Sequence, residues 1–224
     1  MLQSVTAKYA GGCMMLMRRE GNDVHFLGTA FFVHRDGYLL TAAHNFNPED
    51  QLVAVPAEET GEFTPMTLER VDPIPLQVVR VDPDRDAALL KLEPEMEIGV
   101  PGRIFGNPAE IEKGTTVMAL GFSFGHYRLH NLIGIHAVLA GKLISPNGTR
   151  ILLFDRMVHY GDAGAPLVNA QDGRVVGIVS GRFNLTELTR TNSERGQFTD
   201  IDVSYAVSIE YPIELMRIEG LEFG

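Results

Sequence analysis

Apolar residues recur along this chain in short runs broken by glycine, proline and small polar residues. Runs of that length predict strands rather than helices, and many of them in one chain predict a barrel or sandwich. The first set comprises Val24–Val33, Tyr38–Ala42, Leu52–Val55, Leu76–Val81 and Ala87–Leu92. The second comprises Thr115–Leu120, Ile133–Leu139, Ile151–Phe154, Pro166–Val168, Val175–Ser180 and Val203–Ser208. Between them, residues 93–113 carry Pro94, Gly99, Pro101, Gly102, Gly106 and Pro108, the composition of a connection. Only the chain end predicts a helix, with Pro212 in its first turn and Ile213, Leu215, Met216 and Ile218 as its apolar side. Asn184–Asp200 is polar and predicts a surface loop. The pattern thus gives an all-β chain of two halves, residues 1–97 and 98–224, each able to close a barrel.

Composition narrows this picture. A length of 224 residues with 45% hydrophobic content buries a sizeable core. The formal net charge of -10, with no basic block, argues against nucleic acid as a partner. No run approaches the length of a membrane span, so no membrane partner is implied. The single cysteine, Cys13, sits in the apolar run Cys13–Met17 and is expected to be a buried thiol. One thiol and no signal-like N-terminal segment are read as a cytoplasmic chain, unless a leader has been removed.

Three segments carry candidate chemistry. Leu40-Thr41-Ala42-Ala43-His44 ends a strand on an imidazole, although a histidine after a strand is often only a core or surface residue. In Asp82-Pro83-Asp84-Arg85-Asp86, the first two acids read as a solvated turn. Asp86 instead abuts the apolar Ala87–Leu90, where a carboxylate can receive an imidazole N–H and fix its tautomer. His159-Tyr160-Gly161-Asp162-Ala163-Gly164-Ala165-Pro166 is a turn able to aim backbone N–H groups at one point, or equally a hairpin with permissive glycines. No histidine pair has convincing metal-ligand spacing; His126 and His130 sit in a glycine-flanked loop, and no phosphate-binding loop is present, so no metal or cofactor is implied.

Taken together in this order, the three segments resemble the chymotrypsin/trypsin-like serine peptidases. That family pairs Thr-Ala-Ala-His, Asp-x-x-Leu-Leu-Lys-Leu and Gly-Asp-Ser-Gly-Gly/Ala-Pro-Leu segments. Residues 35–41, 119–125 and 204–208 are most similar to simple bacterial, Deg-type members, although the chain has no length left for their PDZ domain. The resemblance implies two six-stranded antiparallel barrels and a protein or peptide substrate. It makes His44 general base and acid, Asp86 its orienting partner, and the N–H groups of Gly161 and residue 163 the oxyanion hole. Met157, Val158, His159, Tyr160, Ser180, Gly181, Arg182 and Tyr205 are then expected to line the primary specificity pocket. His159 and Arg182, if they face that pocket, favour an acidic or amide side chain; Met157 and Val158 could instead bound an apolar one. The lack of an acid at Met157 argues against Lys or Arg preference. With no activation cleavage site apparent, Asp162 is expected to find a partner other than a new N-terminus.

The nucleophile position holds Ala163. Without a hydroxyl, covalent catalysis fails, and loss of the serine in a comparable triad costs on the order of a million-fold in turnover. Because the residues around it keep the family pattern, the alanine reads as a deliberate replacement in an active serine endopeptidase. The alternatives are a natural pseudoprotease that binds peptides and a protease domain taken from a larger regulated protein.

Overall fold

The structure is a computed structural model that describes residues 1–57, 63–67, 70–183 and 203–223. The predicted loop at Asn184–Asp200 lies outside the described residues. The first six strands are β1 (Cys13–Glu20), β2 (Asp23–His34), β3 (Tyr38–Thr41), β4 (Leu52–Pro56), β5 (Ile74–Asp82) and β6 (Ala87–Leu92). They close in the order β1-β2-β3-β6-β5-β4. The second six are β7 (Thr116–Gly121), β8 (Ile133–Ile144), β9 (Arg150–Phe154), β10 (Pro166–Asn169), β11 (Arg174–Arg182) and β12 (Ser204–Ser208). These close as β10-β11-β12-β9-β8-β7. Neighbouring strands in both barrels run antiparallel, as the chymotrypsin-like fold requires.

Strand periodicity explains how one chain fills three apolar regions. In β1, Met14 and Leu16 point into the first barrel with Phe32, Leu39, Leu90 and Leu92. Cys13, Met15 and Met17 point the other way, into a seam shared with Phe31, Leu40, Leu89, Leu120, Phe122 and Ile178 of both barrels. Similarly, Val117 and Ala119 of β7 enter the second barrel, while Met118 and Leu120 enter the seam. Each large side chain buried this way contributes about 1.5–3 kcal/mol relative to exposure.

That double burial is why β1 was not among the predicted strands: both faces are apolar, so the polar alternation that marks a half-buried strand is missing. A second difference is a helix at the start of the chain, α1 (Leu2–Tyr9), where only the chain end was expected to be helical. Its buried residues are Val5 and Tyr9, an i,i+4 pair packed into the seam with Leu2 half-buried against it, and the Tyr9 hydroxyl donates to Gly173 O at 2.7 Å. The terminal helix α2 (Glu210–Ile218) carries Pro212 in its first turn. Its Leu215 and Met216 join the seam, and Glu219 just beyond it meets Arg80 of β5 at 2.8 Å. A segment from the end of the chain thereby packs against the first barrel.

Candidate active site

His44, Asp86 and residue 163 come from three separate loops that meet between the barrels. His44 lies in a 3-10 turn, Ala43–Asn45, directly after β3. Asp86 closes the turn before β6 with φ of 50°, a left-handed conformation that Asp tolerates better than most residues. Both oxygens of Asp86 lie 2.9 Å from His44 Nδ1, and Oδ1 also accepts the His44 backbone N–H at 3.0 Å. Ser180 donates its hydroxyl to Oδ2. It can reach because the pairing of β11 with β12 slips between Val179 and Gly181, and such a slip re-aims the extra residue. The hydrogen bond to Asp86 raises the His44 pKa above its ordinary 6.5, partly opposed by burial and supported by the carboxylate charge. With Nδ1–H donated to Asp86, Nε2 remains the basic atom of the ring.

The turn that holds position 163 is gripped from the first barrel. Ala163 O accepts from Thr29 N at 2.8 Å and from Asn45 Nδ2 at 3.0 Å. Asn45 also donates to Thr41 Oγ1 at 3.0 Å, and that hydroxyl donates to Thr29 O at 2.7 Å. Thr29 Oγ1 donates to Gly161 O at 2.7 Å and accepts Phe122 N–H at 3.1 Å. Gly164 admits this close fit: at φ of 88°, a Cβ there would stand 2.0 Å from Thr29 O. Sequence reasoning missed Thr29, Thr41 and Asn45; the available signal was two threonines inside otherwise apolar strand segments and a polar residue in the turn just after one of them, all of them buried.

Asp162 is 1% exposed and binds Ser123 Oγ at 2.7 Å and the His159 backbone N–H at 2.8 Å. Burial raises its pKa, against the pull of those two bonds. The expected oxyanion donors are arranged differently from the expectation. The N–H of Ala163 is turned inward to Tyr160 O at 3.3 Å, since residues 160–162 form a 3-10 turn.

A cleft of about 470 Å³ opens beside His44. Of the expected pocket residues, His159, Tyr160 and Arg182 line it. Val158 and Ser180 are instead buried, Val158 in the second barrel's core and Ser180 against Asp86. Met157, Gly181 and Tyr205 are half-buried and do not line the cleft. Arg182 bridges the two expected walls, its Nε donating to Val158 O at 3.1 Å. Phe26, Leu27, Asn45, Ser123, His126 and Tyr127 also line it and were not anticipated. Phe26 packs edge-on to His126 at 4.9 Å, and Phe124 lies 4.6 Å from His159.

A family profile described as a trypsin-like peptidase domain matches residues 28–178, a span that contains all three loops. The chain belongs to the trypsin-like peptidase family. Among its relatives is a probable periplasmic serine endoprotease, DegP-like, of Marinomonas sp., 30% identical over 69% of this chain and 29% of the relative. The protein of the same name from Pseudomonas fulva is 29% identical over 82% of this chain and 34% of the relative. The chain therefore spans about a third of the length of these relatives. Among solved structures, the HtrA-type protease AlgW with decapeptide superposes with a TM-score of 0.70 over 98% of this chain and 68% of that one, at 19% identity. This trypsin-like peptidase is accordingly of the bacterial Deg/HtrA-like kind.

The same relatives correct the cytoplasmic expectation, since they are named periplasmic. The lone cysteine misled because Cys13 is 1% exposed, with Sγ 3.7 Å from Leu120 O in the seam. A thiol sealed in a core, in a chain with no second cysteine, reports nothing about the redox state outside.

Proposed function

We propose that this chain is the protease portion of a Deg/HtrA-like serine endopeptidase with alanine at the nucleophile position, so that the chain as written binds peptides without cutting them. The observation that carries the reading is the grip of Asp86 on His44 through both carboxylate oxygens, with Ser180 behind it. A serine at position 163 gives this pair its proton to move. His44 Nε2 takes that proton as the oxygen attacks the peptide carbonyl and returns it to the leaving amine, while Asp86 stabilises the imidazolium. The halves 1–97 and 98–224 divide the labour, the first carrying His44 and Asp86 and the second the nucleophile turn. For Ala163 N–H to serve as an oxyanion donor beside Gly161, its bond to Tyr160 O must break, so substrate has to reorganise residues 160–161.

A second reading is a natural peptide-binding pseudoprotease, favoured by the inward-turned N–H of Ala163, which offers nothing to an oxyanion. The codon at position 163 in the native gene separates the two. The proposed function is tested by Ala163→Ser in the whole chain with unfolded casein as substrate. Hydrolysis that disappears when His44→Ala is added supports the endopeptidase; a folded double-checked variant that cuts no more than the alanine form refutes it.

A further inference from the structure

Among the described residues, none that lines the cleft beside His44 is a carboxylate, in a chain whose formal net charge is -10. Its polar groups are His44, Asn45, Ser123, His126, His159 and Arg182, with Tyr127 and Tyr160 adding hydroxyls. Two carboxylates stand behind this lining, and both are engaged. Asp86 holds His44 and Ser180, while Asp162 holds Ser123 and the His159 N–H.

Arg182 is the permanent cation of the set, since a guanidinium stays charged at any working pH. Two contacts position it. Its Nε donates to Val158 O at 3.1 Å, and its charge centre stands 6.0 Å from the Tyr160 ring. Neither contact neutralises it, and among the described residues no Asp or Glu pairs with it. Anchored through Nε, the side chain keeps its terminal amino groups for a ligand, and their planar fork suits a carboxylate. A buried-backed, one-sided donor set of this kind repels basic peptides and rewards acidic ones.

We propose that Arg182 makes this cleft selective for peptides that present a carboxylate to it, with His159 and His126 as accessory donors. The inference rests on the peptide-binding reading above and adds the chemistry of the peptide. A carboxylate can come from an Asp or Glu side chain or from a chain terminus, and the test distinguishes them.

The chain as it stands, with Ala163, is titrated by fluorescence anisotropy with labelled octapeptides. One position at a time carries Glu, Gln, Leu or Lys, and each peptide is made with a free or an amidated C-terminus. Glu is expected to bind about ten-fold tighter than Gln at one position, the range of a partly exposed charge-assisted pair. Arg182→Gln is expected to erase that difference, and Arg182→Lys to keep part of it. A preference that follows the free terminus rather than the side chain assigns the same site to chain ends. Equal affinity for Glu and Gln peptides with either terminus, or a preference that survives Arg182→Gln, overturns the proposal. Thermal melts of both variants exclude misfolding as the cause. Casein hydrolysis by Ala163→Ser is scored separately. Cutting without acid preference removes this inference alone, whereas acid-selective binding without cutting removes the endopeptidase alone.

Discussion

Replacing Thr29 by Val isolates what the first barrel does for the nucleophile turn. Val has nearly the same volume and strand preference, so the change removes one hydroxyl and little else. That hydroxyl is fully buried, donates to Gly161 O at 2.7 Å and accepts Phe122 N–H at 3.1 Å. Its loss strands a carbonyl and an amide where water cannot reach, at about 1–3 kcal/mol each. The expected destabilisation is therefore about 2–6 kcal/mol, a fall in Tm of roughly 4–24 °C for a chain of this size. Urea unfolding gives the magnitude, and hydrogen exchange gives the place. Amides of residues 161–165 should exchange much faster, while those of β4 and β5, on the far side of the first barrel's pairing order, keep their protection. Thr29→Ser, which keeps the hydroxyl, should cost only about 1 kcal/mol and leave the turn protected. A loss under about 0.5 kcal/mol for Thr29→Val, or exchange that rises evenly over the molecule, would refute the idea of a clamp.

Two further substitutions test the site at other points. Asp86→Asn should lower the His44 pKa, seen by NMR titration of the imidazole, because the bond that raises it above 6.5 is lost. A raised histidine pKa stabilises the fold fully below the unfolded value and ceases to do so as pH rises through the folded value. The stability gap between parent and Asp86→Asn should accordingly narrow across that interval. Gly164→Ala should prevent normal folding or cost more than about 3 kcal/mol, since its Cβ meets Thr29 O at 2.0 Å. Gly21→Ala has the same sign of φ, 63°, but nothing within 4 Å, and should cost only about 1–2 kcal/mol by urea denaturation.

Much of this architecture was legible because short apolar runs bounded by turn residues announce themselves. β3 and β6 are buried along almost their whole length, but Asp36-Gly37 precedes the first and Asp82–Asp86 the second, so that His44 directly follows β3 and Asp86 directly precedes β6. β1 was hidden by burial on both faces, and α1 by a short apolar face with only Val5 and Tyr9 fully buried. The clamp of Thr29, Thr41 and Asn45 depends on which loops meet across the seam, a tertiary fact that spacing along the chain does not encode. The pocket walls failed for a related reason. Met157 and Val158 adjoin the cleft residues His159 and Tyr160 along the chain, but Val158 turns into the second barrel's core, its carbonyl accepting from Arg182 Nε. Compartment was misread because a single buried thiol says more about packing than about surroundings.

The central claim is that His44 and Asp86 are set to activate a serine at position 163, with the oxyanion turn of residues 160–163 reorganised when substrate binds. Its most direct test is labelling of Ala163→Ser with a fluorophosphonate probe, read by intact mass and by mapping of the modified peptide. The account predicts one adduct per chain, located on the restored serine, faster as pH rises through the His44 pKa and absent when His44→Ala is added. A properly folded Ala163→Ser chain that takes up no probe, or takes it up equally well without His44, would contradict it.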